Sequence, residues 1–251
     1  MNKIISIVLP ILIIAGTSVF SFGATNEALT AANNLNTLGL FSGVGVDPDG
    51  KPMYELDRAP TRIEAITMLV RLLGKESEAT NRIWSHPFND VPTWAEPYVG
   101  YAFNYGLTSG ISARKFGSTH LISLSQYLTF ILRALGYKDG ADFQWDEAQE
   151  LTDRLGITNG ETYKLSTFTR GDIAIISFKS LSAKLKGAQT TLIDNFYKSN
   201  KIHLNDIKSV GLESDIAQFA TRADVAHFLA SNYDFKSVNT DISFTDIDNN
   251  T

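Results

Sequence analysis

Three short phrases put an arginine where a helix would begin: Thr61-Arg62-Ile63-Glu64, Thr169-Arg170-Gly171-Asp172 and Thr221-Arg222-Ala223-Asp224. A guanidinium beside the unpaired N–H groups of a helix N-terminus can hold a carboxylate or phosphate in bidentate fashion. The alternative chemistry is structural, with Arg62, Arg170 and Arg222 pairing with acids of neighbouring segments. The placement needs one of these explanations, because a cation in the first turn faces the positive end of the helix dipole.

The residues around each arginine form a capping box, in which a Ser or Thr bonds a free helix N–H and an acid or amide three positions later reaches back. Ser123-Leu124-Ser125-Gln126 is a further copy without the cation. Recurrence of one phrase at roughly fifty-residue intervals marks a supersecondary unit copied and stacked. Functional surfaces are then expected at the seams between units.

A second echo closes the helices. Leu38-Gly39-Leu40-Phe41-Ser42-Gly43, Tyr105-Gly106-Leu107-Thr108-Ser109-Gly110 and Leu155-Gly156-Ile157-Thr158-Asn159-Gly160 share one pattern. Its first Gly suits the left-handed position that ends a helix, its aliphatic residue returns to the core, and its last Gly permits a tight turn. Apolar residues at helical spacing fill both sides of these turns. Leu29, Ala32, Leu35 and Leu38 form one face, and Trp94, Tyr98, Tyr101, Ala102 and Tyr105 form another, with Thr93 and Glu96 expected to make a capping box. The phrases at 61, 123 and 169 open second helices carrying Ile63, Ile66, Leu69 and Leu73, then Tyr127, Leu128, Ile131 and Leu135, then Ile173, Ile176 and Leu181. Each unit is helix, Gly turn, loop, helix, and the fold class is mainly α. Connectors such as Phe88-Asn89-Asp90-Val91 and Phe143-Gln144-Trp145-Asp146 read as an aromatic anchor followed by an Asp that caps the next helix.

Composition narrows the function. Cysteine is absent and the net charge is -5, with basic residues scattered among acids, so disulfides, thiolate metal sites and a nucleic-acid stripe are excluded. His86, His120, His203 and His227 stand singly, Asp47-Pro48-Asp49-Gly50 reads as a turn, and neither a metal nor another cofactor is expected. No nucleophile elbow, phosphate loop or dinucleotide fingerprint occurs, which argues against an enzyme. Residues 1–24 read as a signal peptide, with a basic start, an apolar run from Ile4 to Phe20 and cleavage just after Gly23 or Ala24. No later stretch is apolar enough to span a membrane.

Taken together, Phe88-Asn89-Asp90-Val91, Trp94, Gly106-Leu107-Thr108-Ser109-Gly110, Phe116 and the helix-start phrases resemble the S-layer homology (SLH) domain family. The resemblance covers three consecutive units, from about Ala28 to Leu185, set at residues 25–86, 87–140 and 141–187. Residues 188–235 read as a degenerate fourth repeat and 236–251 as a polar tail, in which Phe244-Thr245-Asp246-Ile247 is like the opening of a further unit. The resemblance implies a pseudo-threefold helical bundle whose inter-unit grooves bind an anionic secondary cell wall polysaccharide, commonly pyruvylated and attached to Gram-positive peptidoglycan. It implies an exported protein held at the cell wall or S-layer without a covalent link. The family's binding residues map onto Arg62, Glu64, Asp90, Trp94, Gly110, Gly160, Arg170 and Asp172.

On chemistry, a pyruvyl carboxylate suits Arg62 and Arg170, and Trp94 can stack on a sugar ring, while capping and core packing account equally well for Asp90 and Trp94. Leu124 and Ser125 replace the Arg and acid of the second unit, which should silence one groove, and Gly171 with Asp172 is expected to weaken the third cap. Replacement of Arg62 or Arg170 by Ala is expected to weaken attachment and leave the fold intact. The competing function is a surface-layer assembly or protein-interaction module, with other surface-layer proteins as partners. A third is the anchoring remnant of a wall hydrolase.

Overall fold

The computed structural model describes residues 25–160 and 167–212. The residues expected to form a signal peptide, the Thr221–Asp224 phrase and the expected polar tail lie outside these residues. Within them the chain is mainly helical: α1 (Asn26–Thr37), a small hairpin of β1 (Gly45–Val46) and β2 (Pro52–Met53), α2 (Arg62–Leu72), α3 (Glu76–Thr80), α4 (Glu96–Asn104), α5 (Leu124–Ala134), α6 (Ala148–Arg154), α7 (Arg170–Ser180), α8 (Leu192–Lys198) and α9 (Leu204–Ser209). Single 3₁₀ turns at Thr93–Ala95 and Trp145–Glu147 lead into α4 and α6. None of the described helices is long and apolar enough to cross a membrane.

The helix starts follow the capping chemistry. Thr61, Ser123 and Thr169 each accept a hydrogen bond from the backbone N–H three residues on, and Glu64, Gln126 and Asp172 return the bond to the cap residue's N–H. The third cap is complete, contrary to the expected weakening. Gly171 has a packing role instead: a Cβ there would stand 3.0 Å from the Ala28 Cβ and 3.1 Å from the Leu56 carbonyl oxygen, so only Gly lets α1 approach α7 this closely. A further box, Thr191 with Asp194, starts α8. The box expected at Thr93 does not form. Thr93 falls inside the 3₁₀ turn, α4 has no side-chain cap, and the Glu96 carboxylate is paired with His86 Nε2 at 2.6 Å.

The helix ends behave as the Gly pattern requires. Gly39, Gly106 and Gly156 have φ near +70°, and Leu40, Leu107 and Ile157 behind them are buried.

Second helices occupy the centre: α2, α5 and α7 all touch one another. Ile66, Leu69, Tyr127, Leu128, Ile131, Ile173 and Ile176 are almost wholly removed from water there, and the Tyr127 and Ser177 hydroxyls bond each other at 2.7 Å inside the bundle. First helices pack on the central helix of the preceding unit, α4 on α2 and α6 on α5, and α1 closes the ring by packing on α7. That closure buries Ala32, Leu35 and Leu38 of the expected face, adds Ala28 and Ala31 to it, and leaves only Leu29 exposed. In the region expected to hold a degenerate fourth repeat, the described residues form α8 and α9, whose connecting Lys201 Nζ donates to the Gly74 carbonyl at the end of α2, 2.6 Å away.

Candidate functional site

The arginines of the first and third phrases are the starting point. Arg62 and Arg170 are only 5% and 4% exposed. Each donates its Nε–H to a carbonyl of another unit, Arg62 to Phe116 at 2.9 Å and Arg170 to Tyr54 at 2.8 Å. Neither has an acid within ion-pair distance among the described residues, so the expected pairing with neighbouring acids is replaced by bonds to neighbouring backbone. The free helix N–H groups are also consumed across the seams. Those of Arg62 and Ile63 reach the His120 and Ser118 carbonyls, and those of Arg170 and Gly171 reach Arg58 and Leu56. The anion-holding potential at these helix starts therefore belongs to the guanidinium and not to the helix end.

Burial of a cation without a counter-charge lowers its proton affinity. The Arg62 guanidinium is brought down to about 10, first by burial and then by the nearby Arg133. Arg170 is lowered also, with burial again the main cause, although the more distant Glu64 and Glu55 carboxylates oppose it. Aromatic rings compensate in part: Arg62 lies 4.7 Å from the Phe130 centroid and 5.1 Å from that of Phe116, and Arg170 lies 5.9 Å from that of Phe41.

Both guanidiniums line open clefts between units, and the two clefts repeat one design. The first, about 500 Å³, brings Arg170 together with Ser42, Gly43, Glu64, Thr67, Met68, Arg71 and Trp94. The second, about 350 Å³, brings Arg62 together with Ser109, Gly110, Gln126, Thr129, Phe130, Arg133 and Trp145. Position for position, a Ser-Gly turn, a cap amide or acid, a Thr, an apolar floor, a second arginine and a Trp recur around the buried arginine. Trp94 and Trp145 are 56% and 53% exposed, so each has a ring face open to a ligand.

The Arg and the acid of one phrase do not share a cleft. Glu64 lines the cleft of Arg170, and its carboxylate is committed to the Thr61 N–H (2.7 Å), the Thr61 hydroxyl (2.9 Å) and both terminal nitrogens of Arg58 (2.6 and 3.0 Å). Burial alone would raise its pKa, but these bonds outweigh burial and hold it at about 2. Asp172 is buried and closes the α7 cap.

Asp90 caps no helix. Its carboxylate accepts from the N–H groups of Phe116, Gly117 and Ser118 at 2.7, 2.8 and 3.4 Å, and these bonds hold it below the usual carboxylate range although burial opposes them. The carbonyls of that same loop receive Arg62 and Ile63, so Asp90 positions the second cleft from behind. Gly110 forms the rim of that cleft. Gly160 accompanies neither cleft; its N–H donates to Asp153 Oδ1 at 2.9 Å.

Arg71, Arg133 and Trp145 were not among the expected site residues. A signal for the first two is present: a basic residue stands ten positions after each cap residue, Arg71 after Thr61, Arg133 after Ser123 and Lys179 after Thr169.

No family model matches the chain. A cell surface protein of Thermoanaerobacter kivui is 28% identical over 198 residues, which is 74% of this chain and 25% of the relative. A middle cell wall protein of Brevibacillus brevis is 28% identical over 200 residues, 74% of this chain and 18% of the relative. A surface layer protein of Brevibacillus choshinensis is 28% identical over 132 residues, 50% of this chain and 11% of the relative. The chain thus spans a quarter or less of the length of these curated relatives.

Proposed function

We propose that the chain is an exported cell-surface module of the SLH type that binds an anionic secondary wall polysaccharide, without a covalent bond, through the clefts of Arg170 and Arg62. The observation that carries this reading is the pair of buried guanidiniums with no acid within ion-pair distance among the described residues, each lining a cleft beside an exposed Trp. A buried cation without a directly paired acid is costly, and a ligand carboxylate would supply that pairing in bidentate geometry while the Trp face covers a sugar ring. A pyruvyl carboxylate is the acid that the family resemblance suggests.

The relatives' names, all of surface or wall proteins, support a place at the cell wall or S-layer and a binding role in preference to an enzymatic one. Two clefts on one chain would raise attachment by multivalency, since the second contact forms at high effective concentration once the first is made.

The test is co-sedimentation of the purified chain with Gram-positive wall sacculi that retain or lack their secondary polymers. Binding to the unstripped walls alone is the expected result. Equal failure on both would leave assembly with other surface-layer proteins as the reading to pursue.

A further inference from the structure

Charge is unevenly placed on this chain. Residues 181–212 carry five lysines, Lys184, Lys186, Lys198, Lys201 and Lys208, all exposed, in a protein of net charge -5. The two acids of the same stretch do little to offset them at the surface: Asp194 is 2% exposed and closes the α8 cap, and Asp206 is half-buried in the first turn of α9. This stretch lies across the ends of the central helices. It continues directly from α7, the Lys186 N–H donates to the Leu135 carbonyl at the end of α5, and Lys201 reaches Gly74 at the end of α2.

Part of this charge is structural. The last carbonyls of a helix attract cations, and Lys201 meets that need, while Lys186 Nζ spans both carboxylate oxygens of Asp142 at 2.6 and 2.7 Å. Lys184, Lys198 and Lys208 do neither. Lys184 bonds the neutral Gln189 at 3.1 Å, and none of the three has an acid within ion-pair distance among the described residues. The Lys184 backbone pairs with Thr191, the cap of α8, and Lys198 is in the last turn of that helix, so the two stand at opposite ends of an element about 10 Å long. Lys208 holds the same last-turn place in α9.

The character of the face narrows the partner. None of the exposed large apolar side chains among the described residues lies in this stretch. A membrane-surface segment needs apolar groups to bury, and protein interfaces are poor in Lys and rich in aromatics. Single-stranded nucleic acid brings bases that call for exposed aromatic rings. Separate, mobile ammonium groups suit instead a hydrated, flexible polymer that repeats one anionic group. An ammonium meets phosphate as a point charge, whereas a carboxylate favours the planar fork of an arginine.

We infer that residues 181–212 form a second binding face for a polyanion of the polyol-phosphate class, with Lys184, Lys198 and Lys208 as its contacts. No residue of this stretch lines the clefts of Arg62 and Arg170. The ligand needs neither a sugar ring nor a carboxylate, so this face stands or falls apart from the clefts.

The test is titration of labelled poly(glycerol phosphate) with the purified chain at two salt concentrations. Affinity is expected to fall about twentyfold between about 50 and about 200 mM salt, as counterions are released from roughly three contacts on a flexible chain. The triple variant Lys184→Gln, Lys198→Gln, Lys208→Gln is expected to bind about tenfold or more weakly at the lower salt and to lose most of the salt dependence. Its melting should match the parent's, since all three side chains are exposed. Replacement of the same three by Arg keeps the charge and should keep the binding. Unaltered binding by the triple Gln variant would place the polymer elsewhere, and no binding by the parent at the lower salt would show these lysines to be merely solvated. Either result overturns the proposal and leaves the reading of the clefts untouched. Tighter binding to phosphatidylcholine vesicles with about one-third phosphatidylglycerol than to the polymer would assign the face to a membrane and overturn it as well.

Discussion

The Nε–H of Arg62 donates to the carbonyl oxygen of Phe116 at 2.9 Å, joining the start of one central helix to a loop of the next unit. The same bond joins Arg170 to Tyr54 at the seam where the ring closes. One side chain thus pins a seam with Nε–H, reaches Thr108 Oγ1 (Arg62, 3.4 Å) or Met68 Sδ (Arg170, 3.5 Å) with a terminal nitrogen, and lines a cleft. Replacement by Ala removes the pin, the packed stem and the charge together, so it perturbs the fold as well as the site.

Methionine separates these effects. Arg62→Met keeps most of the buried stem, leaves the Phe116 carbonyl unpaired at a cost of about 1–2 kcal/mol, and relieves the burden of a desolvated cation. Melting is expected to shift by only a few degrees in either direction while wall binding through the second cleft is lost, with Arg170→Met doing the same in the first. The double variant should fold and fail to sediment with walls. Wild-type sedimentation by a folded double variant would end the anion role of these arginines.

Local chemistry explains what the sequence made legible. Helix starts at Thr61, Ser123 and Thr169 could be read because a capping box is a contact between residues three apart, and the helix ends because a left-handed position favours Gly. The partnerships across seams could not be read in that way. Nothing near Glu64 in sequence indicates that it lines the cleft of Arg170, more than a hundred residues away, because each first helix packs on the preceding unit. Asp90 reads locally as a cap, yet its acceptors are filled by a loop twenty-six to twenty-eight residues on. Trp94 follows the helical spacing of a core face but sits on a 3₁₀ turn, which rotates it out to the solvent.

Glu64 makes stability sensitive to acid. Its pKa of about 2 lies below the ordinary 4.5, so the folded state holds its proton more weakly than the unfolded chain does. The contribution is therefore fully present above about pH 4.5 and is lost as pH falls toward about 2. Denaturant melts across this window should show Glu64→Gln less stable than the parent at pH 6 and nearer to it at pH 2.5. A difference that does not shrink with acid would show that the Arg58 and Thr61 contacts do not depend on the carboxylate charge.

Gly110 and Gly160 occupy matching places in the Gly pattern but differ in their tolerance of a side chain. Both have positive φ, which alone costs a substituted residue about 1–2 kcal/mol. At Gly110 a Cβ would also fall 2.4 Å from Phe88 Cε1 and 2.6 Å from the Lys115 carbonyl oxygen, whereas at Gly160 its nearest neighbour is Asp153 Oδ2 at 3.5 Å. Gly110→Ala is expected to destabilise by at least about 2 kcal/mol more than Gly160→Ala, since an overpacked site must push ring and backbone aside. Equal losses in denaturant titrations would mean that the loop at 115–118 yields freely, and with it the carbonyl that holds Arg62.

Trp94 and Trp145 provide the cleanest division between binding and folding. More than half of each residue is in solvent, so Trp94→Ala and Trp145→Ala uncover only part of a ring's apolar area and should each cost about 1–2 kcal/mol, leaving the chain folded. If their faces cover sugar rings, each substitution weakens one cleft and leaves the other able to hold the chain on the wall. Weakening either contact removes part of the avidity that joins them, so each single variant should lose well over twofold and the losses of the two should add in free energy in the double variant. Sedimentation at graded wall concentration measures this directly. Single losses of about twofold or less with a far larger double loss would indicate clefts that never engage the same polymer surface together, and no loss even in the double variant would place the sugar away from both tryptophans.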